Sequence, residues 1–383
     1  MRAETLATAA AFASIRGEWN DLAAGSASEP FLRHEYIAAF LANFLPESPL
    51  WVATLREASG RLLAALPLVR GVCSIVGFRA RALMSPTNVH SLRFDLLVED
   101  SGGVDTNAGA AAIRVLEHLL SEERWDVVMI ADVPADGRAW GILRAARSLG
   151  LPSGAWEAQR SPYIELNRSH DDLMGGLRAK FRANLRRRRK RLAEIGEVTM
   201  ERLAGEALNE SHLEECLAIE SSGWKGQQGG AASLEASVSG FHRDLFREPS
   251  HRRLLVLYRL KLSGQTLAFH YGIELNGVFF LVMTSYNESF GLFSPGHLLT
   301  EDVLRDCAAR GIRRFDFLGC DLPWKLEWTS LTQPHHWLFI FRDSLKGRFL
   351  HRLKFVWTVA ARQLLTNWRM RVSALGSSLR RSP

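Results

Sequence analysis

The sequence predicts a mixed α/β protein built as two similar halves, and three observations carry that expectation. Its 383 residues exceed what one hydrophobic core usually supports. Strand-like and helix-like apolar patterns alternate along the chain. Finally, Ser59-Gly60-Arg61-Leu62-Leu63-Ala64 is echoed by Ser263-Gly264-Gln265-Thr266-Leu267-Ala268, an S-G-x-x-L-A pattern between two apolar runs, with a helix-then-strand pair after each. A separation of about 200 residues is too long for a solenoid repeat and suits two copies of one domain.

The first half opens with a helical segment, and the apolar spacing from Phe31 predicts a helix to about Phe44, stopped by Pro46 and Pro49. Trp51 to Leu55 and Leu62 to Val69 flank a Gly-containing turn and read as a hairpin, and a further strand pair falls between Val72 and Val98. Ala111 to Leu120 reads as an amphipathic helix, Asp126 to Ile130 as a buried strand and Gly137 to Leu149 as a helix. The second half begins near Ser161-Pro162-Tyr163. Ser169 and Asp172 cap a helix carrying Leu173, Leu177, Phe181, Leu185 and Leu192 at helical spacing. A strand over Val198 to Leu203 and a helix from Asn209 to Ser222 follow. Beyond a Gly-rich loop come strands at Leu254 to Leu262, Thr266 to Leu275 and Val278 to Ser285. Leu298 to Arg310 is a helix closed by Gly311, and Arg314 to Leu318 a short strand. The expected division is 1–158 and 159–345, with a basic amphipathic tail over 346–383.

Composition narrows the class. Apolar residues at 47% and charged residues at 23% exclude disorder as the global state. Cys73, Cys216, Cys307 and Cys320 have no C-x-x-C spacing, which predicts buried free thiols rather than a metal or disulfide framework. Met1 to Asn20 carries Glu4 and Glu18 and no long apolar core, and no stretch approaches the about 20 apolar residues of a membrane span. The expectation is a cytoplasmic protein. The net charge of +7 is uneven: residues 346–383 hold nine Lys or Arg and no Asp or Glu, leaving the rest slightly acidic. Phe349, Leu353, Val356, Trp357 and Trp368 are interspersed with those cations, a composition suited to a helix packed on the body or to one lying on an anionic inner-membrane surface. A second basic run places nine Lys or Arg among the fourteen residues from Arg178 to Arg191, a solvated face or a contact for an anionic partner.

Several short motifs then occur in order: Lys180-Phe181-Arg182-Ala183-Asn184-Leu185, Glu220-Ser221-Ser222-Gly223-Trp224-Lys225-Gly226, Leu267-Ala268-Phe269-His270-Tyr271-Gly272, Thr284-Ser285-Tyr286-Asn287, Ser294-Pro295-Gly296-His297-Leu298, Phe315-Asp316-Phe317-Leu318-Gly319 and Trp324-Lys325-Leu326-Glu327-Trp328. Over roughly 165 to 330 the chain thereby resembles the GNAT acetyltransferases related to the CelD cellulose-biosynthesis protein. More distantly it resembles the Fem-type aminoacyl transferases, which double the same fold. The resemblance implies tandem GNAT-like domains, each with a mixed, mostly antiparallel sheet flanked by helices. It also implies transfer of an acetyl group from acetyl-CoA as co-substrate to an amine or hydroxyl, without a metal, in polysaccharide or cell-envelope metabolism. The acceptor would be a small molecule or glycan, and nucleic acid is not expected as a partner. Two alternatives remain open: an aminoacyl-tRNA-dependent transferase, and a non-catalytic scaffold for a membrane or polysaccharide-synthesis complex.

Acyl transfer requires a polarised carbonyl, a proton acceptor and a site for the donor's pyrophosphate. The Q/R-x-x-G-x-G/A phosphate signature is absent; Ser294-Pro295-Gly296-His297 opens a helix instead. There Gly296 would allow close backbone approach, and the amides of His297, Leu298 and Leu299 would be left unpaired for an anion. Asp316, a carboxylate between two phenylalanines, is expected to be either catalytic or paired, and Lys325 either to contact the donor or to be that partner. His270 and Glu220 are candidate bases, and Tyr286 a candidate acid for a leaving thiolate. Strand alternation sends His270 and Tyr271 to opposite faces. Trp224 and Lys225, on a Gly-rich loop, are candidates for holding the acceptor.

Overall fold

The computed structural model describes residues 1–26, 29–91, 93–99, 106–122, 124–222 and 232–358. The first half comprises β1 (Arg2–Leu6), helices Ala9–Ser14, Arg16–Gly25 and His34–Phe44, then β2 (Leu50–Arg56), β3 (Leu62–Ile75), β4 (Phe78–Met84), a short β5 (Leu97–Val98), helix Thr106–Ser121, β6 (Val127–Pro134), helix Trp140–Ser148 and β7 (Ser153–Glu165). Helices His170–Gly176 and Ala179–Ala193 follow. The second half then comprises β8 (Val198–Ala204), helices Glu210–Ser222 and Ala232–Arg247, β9 (Leu255–Leu262), β10 (Gln265–Leu275), β11 (Val278–Tyr286), helix Pro295–Ala309, β12 (Arg314–Asp316), helix Pro323–Leu326, β13 (Thr332–Phe341) and helix Leu345–Arg352.

The strands form one 13-stranded sheet in the order β1-β2-β3-β4-β6-β13-β7-β12-β11-β10-β9-β8, with β5 beside β3. That order reads as a palindrome. In each half four antiparallel strands are followed by a crossover helix to a parallel strand: β4 with β6 through Thr106–Ser121, and β11 with β12 through Pro295–Ala309. The S-G-x-x-L-A echo marks equivalent turns, β2–β3 and β9–β10. Each half's last strand lies in the other half's sheet. β7 pairs antiparallel with β12, β13 pairs antiparallel with β6, and the two pair with each other from Ser153↔Ile340 to Pro162↔Thr332. The fold is therefore mixed α/β, with a largely antiparallel open sheet flanked by helices.

Four apolar clusters fill the faces. Trp19, Trp51, Leu66, Val115 and Trp125 belong to a core within the first half. In the second half the sheet separates two cores. Leu281, Phe315 and Phe317 face Leu298, Val303 and Leu185 of the overlying helices. On the other side Tyr271, Phe280 and Met283 meet Phe241, together with Phe31, Tyr36 and Phe40 from the first half. A smaller fourth core sets Ile75 and Ala82 against Phe339, Phe341 and Leu350.

Several expectations need correction. The chain opens with strand β1, because Arg2–Leu6 pairs with β2. The single helix expected from Asp172 to Leu192 is two, broken at Leu177, which takes extended angles after Gly175-Gly176. β3 continues to Ile75 because β4 pairs with its distal part. Helix Ala232–Arg247 and strand β13 were not foreseen. Cys216 and Cys307 are buried, but Cys320 is exposed and Cys73 only half-buried. Among the described residues no helix is long and apolar enough to cross a membrane.

One irregularity shapes the second half. Between β10 and β11 the register moves from Tyr271↔Met283 to Gly272↔Leu281, leaving Val282 as a bulge. A Cβ on Gly272 would lie 2.4 Å from the Phe279 ring and 2.6 Å from the Phe280 carbonyl, so only glycine fits there. Gly272→Ala is expected to cost about 1–3 kcal/mol through overpacking. An unchanged thermal midpoint would show that β11 accommodates the methyl.

Candidate active site

The parallel ladder of β11 and β12 spans only Val278↔Arg314, Phe279↔Phe315 and Phe280↔Asp316. Two local features end it. The Val282 bulge bends β11 away, and Leu318 (φ 50°) and Gly319 (φ 59°) turn the other chain aside. Leu318 and Gly319 are held in that turn: the Leu318 amide donates to Asp316 Oδ1 at 2.9 Å, and Ser161 Oγ donates to the Gly319 carbonyl at 2.8 Å. Beyond Phe280 the outward backbone groups of β11 have no β12 partner, and a wedge opens between the strands. The first half has the same parallel pair, but there the space is filled. Ser85 donates its amide to the Met129 carbonyl, its hydroxyl accepts from the Ala131 amide at 2.8 Å, and the Phe94 amide donates to the Asp132 carbonyl at 3.2 Å.

Helix Pro295–Ala309 starts at the mouth of the wedge. Ser294 precedes it in the left-handed region (φ 48°). The His297 and Leu298 amides are not left open as expected: both donate to the Ser294 carbonyl, at 3.0 and 3.3 Å. This backbone conformation substitutes for a side-chain cap. The space over Gly296 is open, since a Cβ there would approach only the Tyr286 ring, at 3.9 Å. Gly296 and Tyr286 are thus brought together, with the Tyr286 side chain partly exposed at the end of β11. The Leu298 side chain is fully buried, and its carbonyl accepts from Arg189.

His297 lies under aromatic rings that sequence reasoning had not assigned to the site. Its Nδ1 accepts from Trp328 Nε1 at 3.1 Å, Phe181 meets it edge-on at 5.3 Å, and Trp324 lies 6.3 Å away. Burial, with a smaller push from Arg188, lowers its pKa to about 4, so the ring is neutral near pH 7. Arg188 and Arg191, the latter over the Phe293 ring, stand on the helix flanking this mouth. Positive side chains beside a helix start suit a doubly anionic group such as a pyrophosphate. Trp324 and Trp328 were visible in the W-K-L-E-W motif, but only the fold turns them toward His297.

His270, the candidate base, is enclosed by its neighbours. It is 1% exposed; Nδ1 sits 2.9 Å from both the Phe269 carbonyl and Thr284 Oγ1, and Nε2 2.9 Å from Thr300 Oγ1. Thr300 in turn donates to the Gly296 carbonyl at 2.9 Å. The ring ties β10 and β11 to the helix start, and burial lowers its pKa to about 4.

The expected ion pair of Asp316 with Lys325 does not form. Asp316 is 0% exposed, and its partners are Arg93 at 2.5 Å and Arg314 at 2.9 Å. Arg93 comes from the same first-half segment that fills the other wedge, and it also pairs with Glu29. Lys325 instead donates to the Leu318 carbonyl at 2.6 Å and bolts down the turn after β12. Glu220 lies in the last turn of Glu210–Ser222, a helix that packs on the sheet face opposite Pro295–Ala309 through Leu213 and Cys216. Trp224 and Lys225 lie outside the described residues.

With this geometry in view, comparison adds one family match and three structural likenesses. Residues 179–326 match a family model described as an acetyltransferase (GNAT) domain. No curated protein matches the chain in sequence. Among solved structures, the crystal structure of FemX is similar at TM-score 0.54 and 12% identity, over 88% of this chain and 97% of that one. The C-terminal domain of a putative lysylphosphatidylglycerol synthetase from Agrobacterium fabrum is similar at TM-score 0.51 and 12% identity, over 88% and 95%. L-PGS from Bacillus licheniformis is similar at 0.51 and 10%, over 88% and 94%. At these identities the likeness is one of fold.

Arg93→Ala leaves Asp316 buried beside a single cation. A loss of about 3–5 kcal/mol in urea unfolding is expected, and a loss below about 1 kcal/mol would show that Arg314 suffices. A pH dependence follows from the buried imidazoles. Burial lowers His242 to about 3 and His251, His270, His297 and His335 to about 4. Each takes up a proton on unfolding between pH 6.5 and 4, so stability falls on acidification. Asp95 and Asp132, raised to about 6 by burial, oppose this below pH 6. The lowered imidazoles outnumber the two carboxylates, so a net loss of stability is expected as the pH falls from 6 to 4. Equal urea midpoints at pH 7 and pH 5 would contradict it.

Proposed function

We propose that the protein is a GNAT-type acyltransferase that moves an acetyl group from acetyl-CoA to an amine or hydroxyl by direct attack, in polysaccharide or cell-envelope metabolism of the CelD-like kind. The observation that carries this reading is the wedge between β11 and β12 with a helix start at its mouth, lying within the span that matches the acetyltransferase domain model. Acetyl-CoA would supply the activated thioester. The open surface over Gly296, flanked by Arg188 and Arg191, would hold its pyrophosphate. The outward N–H groups of β11 beyond Phe280 lie where a carbonyl oxygen gaining charge can be stabilised. Tyr286, beside Gly296, would donate a proton to the leaving sulfur, while the acceptor approaches from the face bearing Glu220, the candidate base. His270 would hold β10 and β11 to the helix start, and Lys325 would hold the turn after β12.

A second reading, an aminoacyl-tRNA-dependent transferase, draws on one observation: Lys180, Arg186, Arg187, Lys190 and Arg191 are exposed along helix Ala179–Ala193. Binding of tRNA that weakens steeply with salt would favour it.

Calorimetric titration with acetyl-CoA and with desulfo-CoA separates these readings. Both ligands are expected to bind, and absence of heat from either at millimolar concentration overturns the acetyl-CoA reading. Tyr286→Phe should lower kcat by about 10²–10⁴ with little change in KM. An unchanged kcat removes Tyr286 from the chemistry.

A further inference from the structure

The β3–β4 hairpin reaches beyond the body of the sheet. β2 pairs with β3 only as far as Val69, and the Arg70 amide donates to the Pro49 carbonyl at 2.8 Å, so among the described residues the β3 backbone from Gly71 to Ile75 has its ladder partner only in β4. At its tip Val76 (φ 50°) and Gly77 (φ 88°) form the turn. The tip is apolar where a projecting turn is ordinarily polar: Val72, Val76 and Phe78 are 54%, 48% and 49% exposed.

The closing helix brings more of the same. Phe349 meets Phe78 edge-on at 5.2 Å and Trp357 at 5.9 Å. Phe349 is 37% exposed, and Val356 and Trp357 are each 49% exposed. The aromatic row is therefore continuous across two elements nearly 270 residues apart in sequence, and the described residues leave it open to solvent.

Cations surround it. Arg79, Arg348 and Arg352 are exposed around this row, joined by Lys346 and Arg81. The acidic neighbours are engaged: Asp126 accepts from Arg81 and Lys346, and Asp343 from Arg348. The chain from Lys346 onward holds nine Lys or Arg, Lys346, Arg348 and Arg352 among them, and no acid.

From this arrangement we infer that the hairpin tip and the closing helix form a docking surface for an anionic lipid bilayer. Aromatic and branched apolar side chains enter the headgroup boundary while the surrounding guanidinium groups meet lipid phosphates. Contact with the same patch of a second copy would bring two sets of exposed cations, Arg79, Arg348 and Arg352 among them, onto one interface, a like-charge arrangement that disfavours it. The inference stands apart from the acyl-transfer reading, since it uses none of the same residues.

The test is flotation of the full chain with vesicles of phosphatidylcholine alone and of equal parts phosphatidylcholine and phosphatidylglycerol. Binding is expected to the mixed vesicles only, and to decline as salt is raised. Phe78→Ser with Trp357→Ser should reduce partitioning by about tenfold or more. Val76→Asn serves as the gentler variant, because asparagine tolerates the left-handed turn; it should reduce partitioning by about threefold while keeping the wild-type unfolding midpoint. Three outcomes overturn the inference: no association with the mixed vesicles at low salt, undiminished association of both variants, or lipid-independent dimerisation that the same substitutions abolish.

Discussion

The pairing of β7 with β13 is the constraint from which the rest of the molecule follows. Each is the last strand of its own half and sits in the sheet of the other, so neither half can satisfy its strand edges alone. Nine register pairs join the two strands at the centre, and the backbone there has no alternative partner. The exchange sets the halves about a local twofold arrangement and makes one sheet of two. It also brings Phe31, Tyr36 and Phe40 of the first half onto the second half's sheet.

The wedge follows from that seam. Because β7 covers one side of β12, Asp316 lies wholly inside the protein, and its charge must be met there. Arg93 meets it, carried on the segment that closes the first half's own wedge. One half is thus filled, and its filling segment supports the open half. The Val282 bulge and the Leu318–Gly319 turn then separate β11 from β12, and the His270–Thr300–Gly296 chain fixes the helix start against them. Lys325 secures the turn from the other side.

Much of the strand order along the chain was legible because alternation and Gly-containing turns are local signals. The hairpins β2–β3, β9–β10 and β10–β11, the crossover helix and its Gly311 cap all fell where periodicity put them. Helix Ala232–Arg247 escaped because its apolar positions are sparse and follow a Gly-rich run. β13 escaped because Thr332–Phe341 opens with Gln, Pro and two His, and its strand character comes from two neighbours supplied by the fold. The site was legible as a set of residue types and not as a set of roles. Gly296, His297 and Tyr286 do converge. His270 and Asp316 were conspicuous as polar residues in apolar strands, yet that same setting buries them and commits their polar atoms to structural partners.

The sequence by itself determined the class of fold, its internal echo and the neighbourhood in which a helix start meets a strand end, because those depend on periodicity and turn chemistry over a few residues. Tertiary structure decided which partner each buried charge takes, since Arg93 and Asp316 are more than 200 residues apart and no local pattern links them. It decided which of two equivalent wedges stays open, a matter of whether the chain after β4 folds back into the gap. It also decided that an apolar hairpin tip and a basic helix end share one surface.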